Sequence, residues 1–198
     1  HHHPDHIGGL AELLQHCHAP VYGPEDSRIP LVTHRIEHGD EIFLEELELN
    51  FRVMSVPGHT RSHVAYYGGD YLFCGDTIFS LGCGRLFEGS AEQMQHSLDL
   101  ISALPPDTRI CCSHEYTLSN AIFAEAAEPD NPERDALVRN IREKRAQGLP
   151  SLPSHLGIEL ACNPFLRCDK SELWSYWSRQ SRLVIQNRLQ AFTALRAW

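Results

Sequence analysis

Apolar positions recur along this chain at two spacings, and the point where one gives way to the other divides it. Leu10, Leu13 and Leu14, within Ile7–Cys17, follow a helical period. Val21–Tyr22, Glu41–Leu44 and Leu49–Val56 are short β-prone runs broken by Pro and Gly, and read as strands. His63–Tyr67 and Tyr71–Cys74 read as two more, joined through Gly68-Gly69-Asp70 as a hairpin. Ser90 and Gln93 form a capping box, after which Met94, Leu98 and Ile101 follow at helical spacing until Pro105-Pro106 stop the helix. Thr108–Cys112 has the profile of a buried strand that delivers Ser113-His114 at its tip.

From Leu118 onward only helical patterns remain. Ala121–Ala127 and Asp135–Gln147 are separated by Pro129 and Asn131-Pro132, with Gly148 placed to end the second. The proline-interrupted segment 149–170 reads as a long loop, and Leu183–Leu195 as a last amphipathic helix. The pattern predicts an α/β domain over residues 1–118 and a helical domain over 119–198.

Charge splits along the same line. The net charge is −9, but residues 1–118 hold 17 acids and 6 bases while residues 119–198 hold 9 acids and 11 bases. An acidic first unit argues against nucleic acid as a partner. No apolar run is long enough for a transmembrane helix, so no membrane partner is expected. Seven cysteines without a C-x-x-C pair fit reduced thiols, and hence a cytoplasmic protein, better than a disulfide framework.

Thirteen histidines are many for 198 residues, and their placement matters more than their number. His1, His3, Asp5 and His6 fall within six positions just before a helix. His1 and His3, at i and i+2 of an extended segment, point the same way; Asp5 and His6 lie past the bend and can turn elsewhere. The run continues into Pro-Asp-His-Ile-Gly-Gly, which a purification tag does not do. His59 follows Pro57-Gly58, Asp76 follows Gly75, and His114 follows Ser113, each at a strand end. Any one of these could be an ordinary turn residue. Together they are seven imidazole and carboxylate ligands, enough for two zinc, iron or manganese ions in an open, catalytic arrangement.

HHHPDH resembles the T-H-x-H-x-D-H signature of the metallo-β-lactamase superfamily. Pro57-Gly58-His59-Thr60, Cys74-Gly75-Asp76-Thr77-Ile78-Phe79, the GCGRLFEG run at 82–89, Ser113-His114-Glu115-Tyr116-Thr117 and Asn163-Pro164-Phe165-Leu166-Arg167 are similar to segments of its glyoxalase II (hydroxyacylglutathione hydrolase) family. The resemblance implies an α/β fold, an αββα sandwich followed by a C-terminal helical domain. It also implies that the sandwich lacks its first strands and that the chain stops one residue before an expected ligand-binding Lys. His1, His3 and His59 would hold one metal, Asp5, His6 and His114 the other, and Asp76 would bridge them. Arg85, Phe87, His114, Tyr116 and Arg196 would meet the substrate, with Phe87 standing where some members carry Tyr.

The implied activity is hydrolysis of S-D-lactoylglutathione to glutathione and D-lactate by a monomer. Its two divalent metals, zinc first, would activate water for attack on the thioester carbonyl, with Asp5 orienting it. Rivals on the same scaffold are β-lactamases, lactonases and persulfide dioxygenases; a non-catalytic metal-binding homologue and a nuclease are more distant.

Overall fold

The computed structural model describes residues 1–198. In chain order its elements are α1 (Pro4–Ile7), α2 (Leu10–His16), β1 (Tyr22–Pro24), β2 (His34–Ile36), β3 (Glu41–Leu44), β4 (Leu49–Ser55), β5 (Val64–Gly68), β6 (Tyr71–Gly75), β7 (Ile78–Phe79) and β8 (Gly82–Cys83). They continue with α3 (Ala91–Ser102), β9 (Arg109–Cys112), α4 (Thr117–Ala127), α5 (Pro132–Ala146), β10 (Ser154–His155), α6 (Leu156–Cys162), α7 (Ser171–Ser181) and α8 (Arg188–Ala197).

Six strands form the main sheet in the order β10-β9-β6-β5-β4-β3. Strands β3 to β6 run as an antiparallel meander, whereas β9 returns parallel to β6 after the crossover through α3. The β5–β6 turn is tight because Gly69 and Asp70 both hold positive φ, 54° and 64°, the conformation a two-residue hairpin needs. The Ser90–Gln93 capping box forms as expected, and Met94, Leu98 and Ile101 are buried on the inner face of α3.

Strand alternation sorts side chains onto two faces. Met54, Ala65, Leu72 and Cys74 join α3 and the tail residues Leu156, Trp177 and Phe192 in one continuous core. Val53 and Val64, their immediate neighbours, face the other way and pack with Ile36 and Ile42. The second layer over that face is the parallel β1–β2 pair together with α2. It leaves Phe73 exposed and an apolar groove of about 460 Å³.

The tail departs from the sequence expectation in three places. Residues 149–170 are not a long loop, because Ser154–His155 pairs with β9 at the sheet edge and Leu156–Cys162 is helical. Residues 171–181, for which the sequence pattern predicts no element, form α7, anchored by the fully buried Trp177, whose indole donates to the Ala127 carbonyl at 2.6 Å. The last helix starts at Arg188 rather than Leu183, where Asn187 caps it by accepting from the Gln190 N–H. Buried Arg134 closes the end of α4 by donating to the Ala124 carbonyl and to the Glu128 and Pro129 carbonyls just past the helix. No helix is long and apolar enough to cross a membrane, and all seven cysteines are free thiols.

Candidate metal centre

Pro4 starts α1 with its fixed φ, while His3 before it stays extended at φ −63°, ψ 145°. That break sends His1 and His3 one way and places Asp5 and His6 on the first helical turn. His59 comes from the loop after β4, His114 from the loop after β9, and Asp76 from the end of β6. Gly75 turns β6 at φ +52°, and a Cβ there would lie 2.6 Å from the His63 ring. Only glycine lets the chain bend that close to a side chain.

The seven expected ligands come together at these tips. His3 Nδ1 lies 2.9 Å from His1 Nε2 and 3.1 Å from His59 Nε2. On the other side His114 Nε2 is 3.2 Å from Asp5 Oδ2, and His6 Nε2 is 3.7 Å from the same oxygen. Asp76 lies between the two groups, with Oδ2 3.3 Å from His59 Nε2 and Oδ1 3.2 Å from His6 Nε2 and 3.6 Å from His114 Nε2. His1 also reaches the second group, its ring centroid 3.9 Å from that of His6.

These contacts cannot all be hydrogen bonds at once, since a His3 Nδ1–H could serve only one of His1 and His59. His59 donates Nδ1–H to the Arg85 carbonyl at 2.8 Å, and in a neutral ring this leaves a bare lone pair on Nε2. That lone pair lies 3.3 Å from Asp76 Oδ2, and two such acceptors repel without a cation between them. His1 Nδ1, His6 Nε2 and Asp76 Oδ1 are buried with no partner, each a defect worth about 1–3 kcal/mol. Ligands at zinc-like bond lengths in a tetrahedron lie about 3.4 Å apart, and the separations here bracket that value. The donor set fits divalent cations. Burial holds His6 and His59 below the ordinary imidazole range, so both present lone pairs at neutral pH.

The remaining expected residues share one cavity of about 720 Å³ with His3, Asp5, His59, Asp76 and His114: Arg85, Phe87, Tyr116 and Arg196 all line it. Tyr116 stacks on His114 at 5.1 Å, and Phe87 sets its edge against His59 at 5.2 Å. The Arg196 guanidinium lies 5.4 Å over the Phe165 ring. Arg28, Arg134, Arg142, Arg167 and Arg188 are paired with carboxylates, whereas Arg85 and Arg196 turn to the cavity.

Sequence reasoning passed over two supports. His63, fully buried, donates Nδ1–H to the Val64 carbonyl and accepts the Asp76 N–H on Nε2, both at 3.1 Å, while its ring stacks on His1. Burial keeps it far below the usual imidazole range, which preserves the acceptor. The only sequence signal is a second histidine four positions after His59. The other support is Arg28, which grips Asp26 and Glu88 together. Its hydrogen bonds push the Asp26 carboxyl well below its ordinary range and take Glu88 down to about 2. His2 turns to this group rather than to the ligand cluster, with Nε2 3.6 Å from Glu88.

A sheet whose strand tips carry His and Asp around a shared carboxylate defines a class, and the sequence agrees: the family model described as the metallo-beta-lactamase superfamily matches residues 1–114. The model for the hydroxyacylglutathione hydrolase C-terminus matches residues 115–198. Hydroxyacylglutathione hydrolases of Nitrosomonas eutropha and Shewanella pealeana are each 48% identical, over all of this chain and 78% and 76% of theirs. The chain belongs to the hydroxyacylglutathione hydrolase family. Among solved structures it is similar to ETHE1 from Myxococcus xanthus, with a TM-score of 0.63 and 25% identity over the whole chain and 74% of that protein. It is also similar to TTHA1623 in a di-iron-bound form, with a TM-score of 0.58 and 26% identity over 84% of this chain and 74% of that one.

Proposed function

We propose that the chain hydrolyses S-2-hydroxyacylglutathiones, S-D-lactoylglutathione foremost, to glutathione and D-lactate, the second step of methylglyoxal detoxification. The observation that carries this is the single cavity in which the His/Asp cluster opens beside two guanidinium groups without acidic partners. The name shared by the relatives supports the substrate class. Two divalent ions, zinc before iron or manganese, are proposed, and the di-iron form of TTHA1623 supports a two-metal reading.

His1, His3 and His59 would hold one ion and Asp5, His6 and His114 the other, with one Asp76 oxygen offered to each. When bound, such ions acidify a shared water to roughly neutral pKa and polarise a carbonyl. Burial raises the Asp5 carboxyl, but its own backbone N–H and the neighbouring His6, His114 and His3 more than offset that. It is therefore ionised at neutral pH and can accept a hydrogen bond from the attacking water. Arg85 and Arg196 bind the free carboxylates of glutathione through charge-assisted hydrogen bonds. Tyr116 offers a hydroxyl from its perch on His114, and Phe87 supplies an apolar wall. A thiolate, the conjugate base of a thiol titrating at about 8.5, is a weak enough base to leave without a separate general acid.

In this reading residues 1–118 are the catalytic unit and residues 119–198 the substrate-binding unit of a cytoplasmic monomer. The test follows thiol release from S-D-lactoylglutathione alongside a β-lactam, a lactone and a phosphodiester. The thioester should be turned over with the highest kcat/KM; a higher value on any of the others overturns the proposal.

A further inference from the structure

Asp76 is followed by the β7–β8 hairpin, and Arg85 lies just past its end. Gly84 N–H donates to the Thr77 carbonyl at 3.1 Å, and a Cβ on Gly84 would lie 1.9 Å from the Asp76 carbonyl oxygen. The hairpin is thus packed directly against the Asp76 backbone. Its turn is unusual, because Leu81 is buried at φ +60°, a conformation L-residues rarely adopt and one the surroundings must hold in place.

The holding groups all come from the helical tail. Glu159 on α6 is fully buried, and its Oε2 accepts the Leu81 N–H at 2.8 Å and Asn163 Nδ2 at 3.1 Å. Its Oε1 accepts from the Ser154 hydroxyl. Asn163 Nδ2 also donates to the Phe79 and Gly82 carbonyls at 3.1 and 3.0 Å, and Asn120 to the Ser80 carbonyl at 3.0 Å. Each residue of the turn, from Phe79 to Gly82, is thus bonded through its backbone to a tail side chain.

We propose that Glu159 is a positioning residue, which with Asn163 sets the hairpin so that Asp76 and Arg85 sit correctly at the reaction site. The proposal rests on the metal-hydrolase reading above. Through the Asn163-Pro164-Phe165 segment the tail then shapes the metal end of the cavity as well as the substrate end.

The test compares the full chain carrying Glu159→Ala, Glu159→Gln, Asn163→Ala or Leu156→Ala. Leu156 is equally buried on the same helix, so its variant reports general loss of packing. Zinc affinity by chelator competition, melting temperature, and kcat and KM on S-D-lactoylglutathione and on a small neutral thioester are measured. Glu159→Ala should weaken zinc affinity about 10- to 100-fold, as loss of a ligand's support does, and lower kcat on both substrates. Leu156→Ala should lose melting temperature while keeping zinc affinity and kcat within about threefold. Glu159→Gln keeps an oxygen for Leu81 and Asn163, and its amide can donate to a Ser154 hydroxyl turned to accept, so it should recover nearly all of both properties.

If Glu159→Ala does not fold, Asn163→Ala carries the test, with the same pattern at smaller amplitude. Zinc affinity and kcat unchanged in the alanine variants, or Glu159→Gln as damaged as Glu159→Ala, overturns the proposal. A wild-type chain that binds zinc but hydrolyses neither thioester sinks the functional reading instead, and the zinc affinities still decide this one.

Discussion

At the tips of β4, β6 and β9, buried imidazole and carboxylate atoms face one another unpaired, whereas around Glu159, across one hairpin, no atom of Glu159, Asn163 or Ser154 lacks a partner. Both clusters hold polar atoms shut away from solvent, so the burial of single atoms does not separate them. Completion does. The open cluster leaves acceptors that a cation would satisfy, while the closed cluster binds another part of the chain. A buried polar network left half-satisfied marks the place where something outside the protein belongs.

Removing the group that belongs to both halves of the open cluster puts this contrast under the greatest strain. Asp76→Ala should lower kcat/KM by more than about a hundredfold, whereas His16→Ala and His96→Ala, exposed helix positions, should stay within about twofold. Comparable losses across all three would mean that the cluster has been misread. Next, His63→Ala should weaken metal affinity about 10- to 100-fold, because Asp76 loses its backbone acceptor and His1 its stacking partner. Unchanged metal affinity would reduce His63 to a packing residue.

A third effect concerns binding away from the reacting carbon. Arg85→Ala should raise KM for glutathione thioesters about 10- to 150-fold, the equivalent of a charged hydrogen bond worth about 1.5–3 kcal/mol. A small neutral thioester should be little affected, and equal effects on both would place Arg85 in the chemistry or the scaffold.

The mildest change should be in stability against pH. Glu88 and Asp26 have carboxyls depressed by Arg28, so their contribution is complete above an ordinary carboxylate value of about 4; that of Glu88 is lost as pH falls toward about 2, that of Asp26 lower still. Arg28→Ala should flatten the fall in urea midpoint over that window. An unchanged profile would show that the pairing does not stabilise the fold.

The sequence announces the open cluster far better than the closed one, for physical reasons. Each expected ligand ends a short apolar strand or opens a helix, and such tips are marked by local signals: Pro57-Gly58, Gly75, Pro4. The β5–β6 turn and the Ser90 capping box are legible on the same grounds, being settled within four residues. Glu159 and Asn163 carry no such signal, since their partners lie 78 to 84 positions away. In a proline-interrupted segment a lone Glu looks solvated, and the short helix around it reads as loop. Helix α7 is hidden for a related reason: its Ser-rich, aromatic sequence is a weak helix former, and Trp177 is held by a carbonyl 50 residues away.

Whether the strand-tip cluster is a two-metal centre is decided most directly by its metal content at saturation. The full chain, stripped with a chelator, dialysed against excess zinc, iron or manganese and freed of unbound ion, is analysed for metal per mole of protein. Two ions per chain are expected for wild type and fewer than two for Asp76→Ala. One ion or none in the wild type, with every metal offered, would refute the two-metal centre.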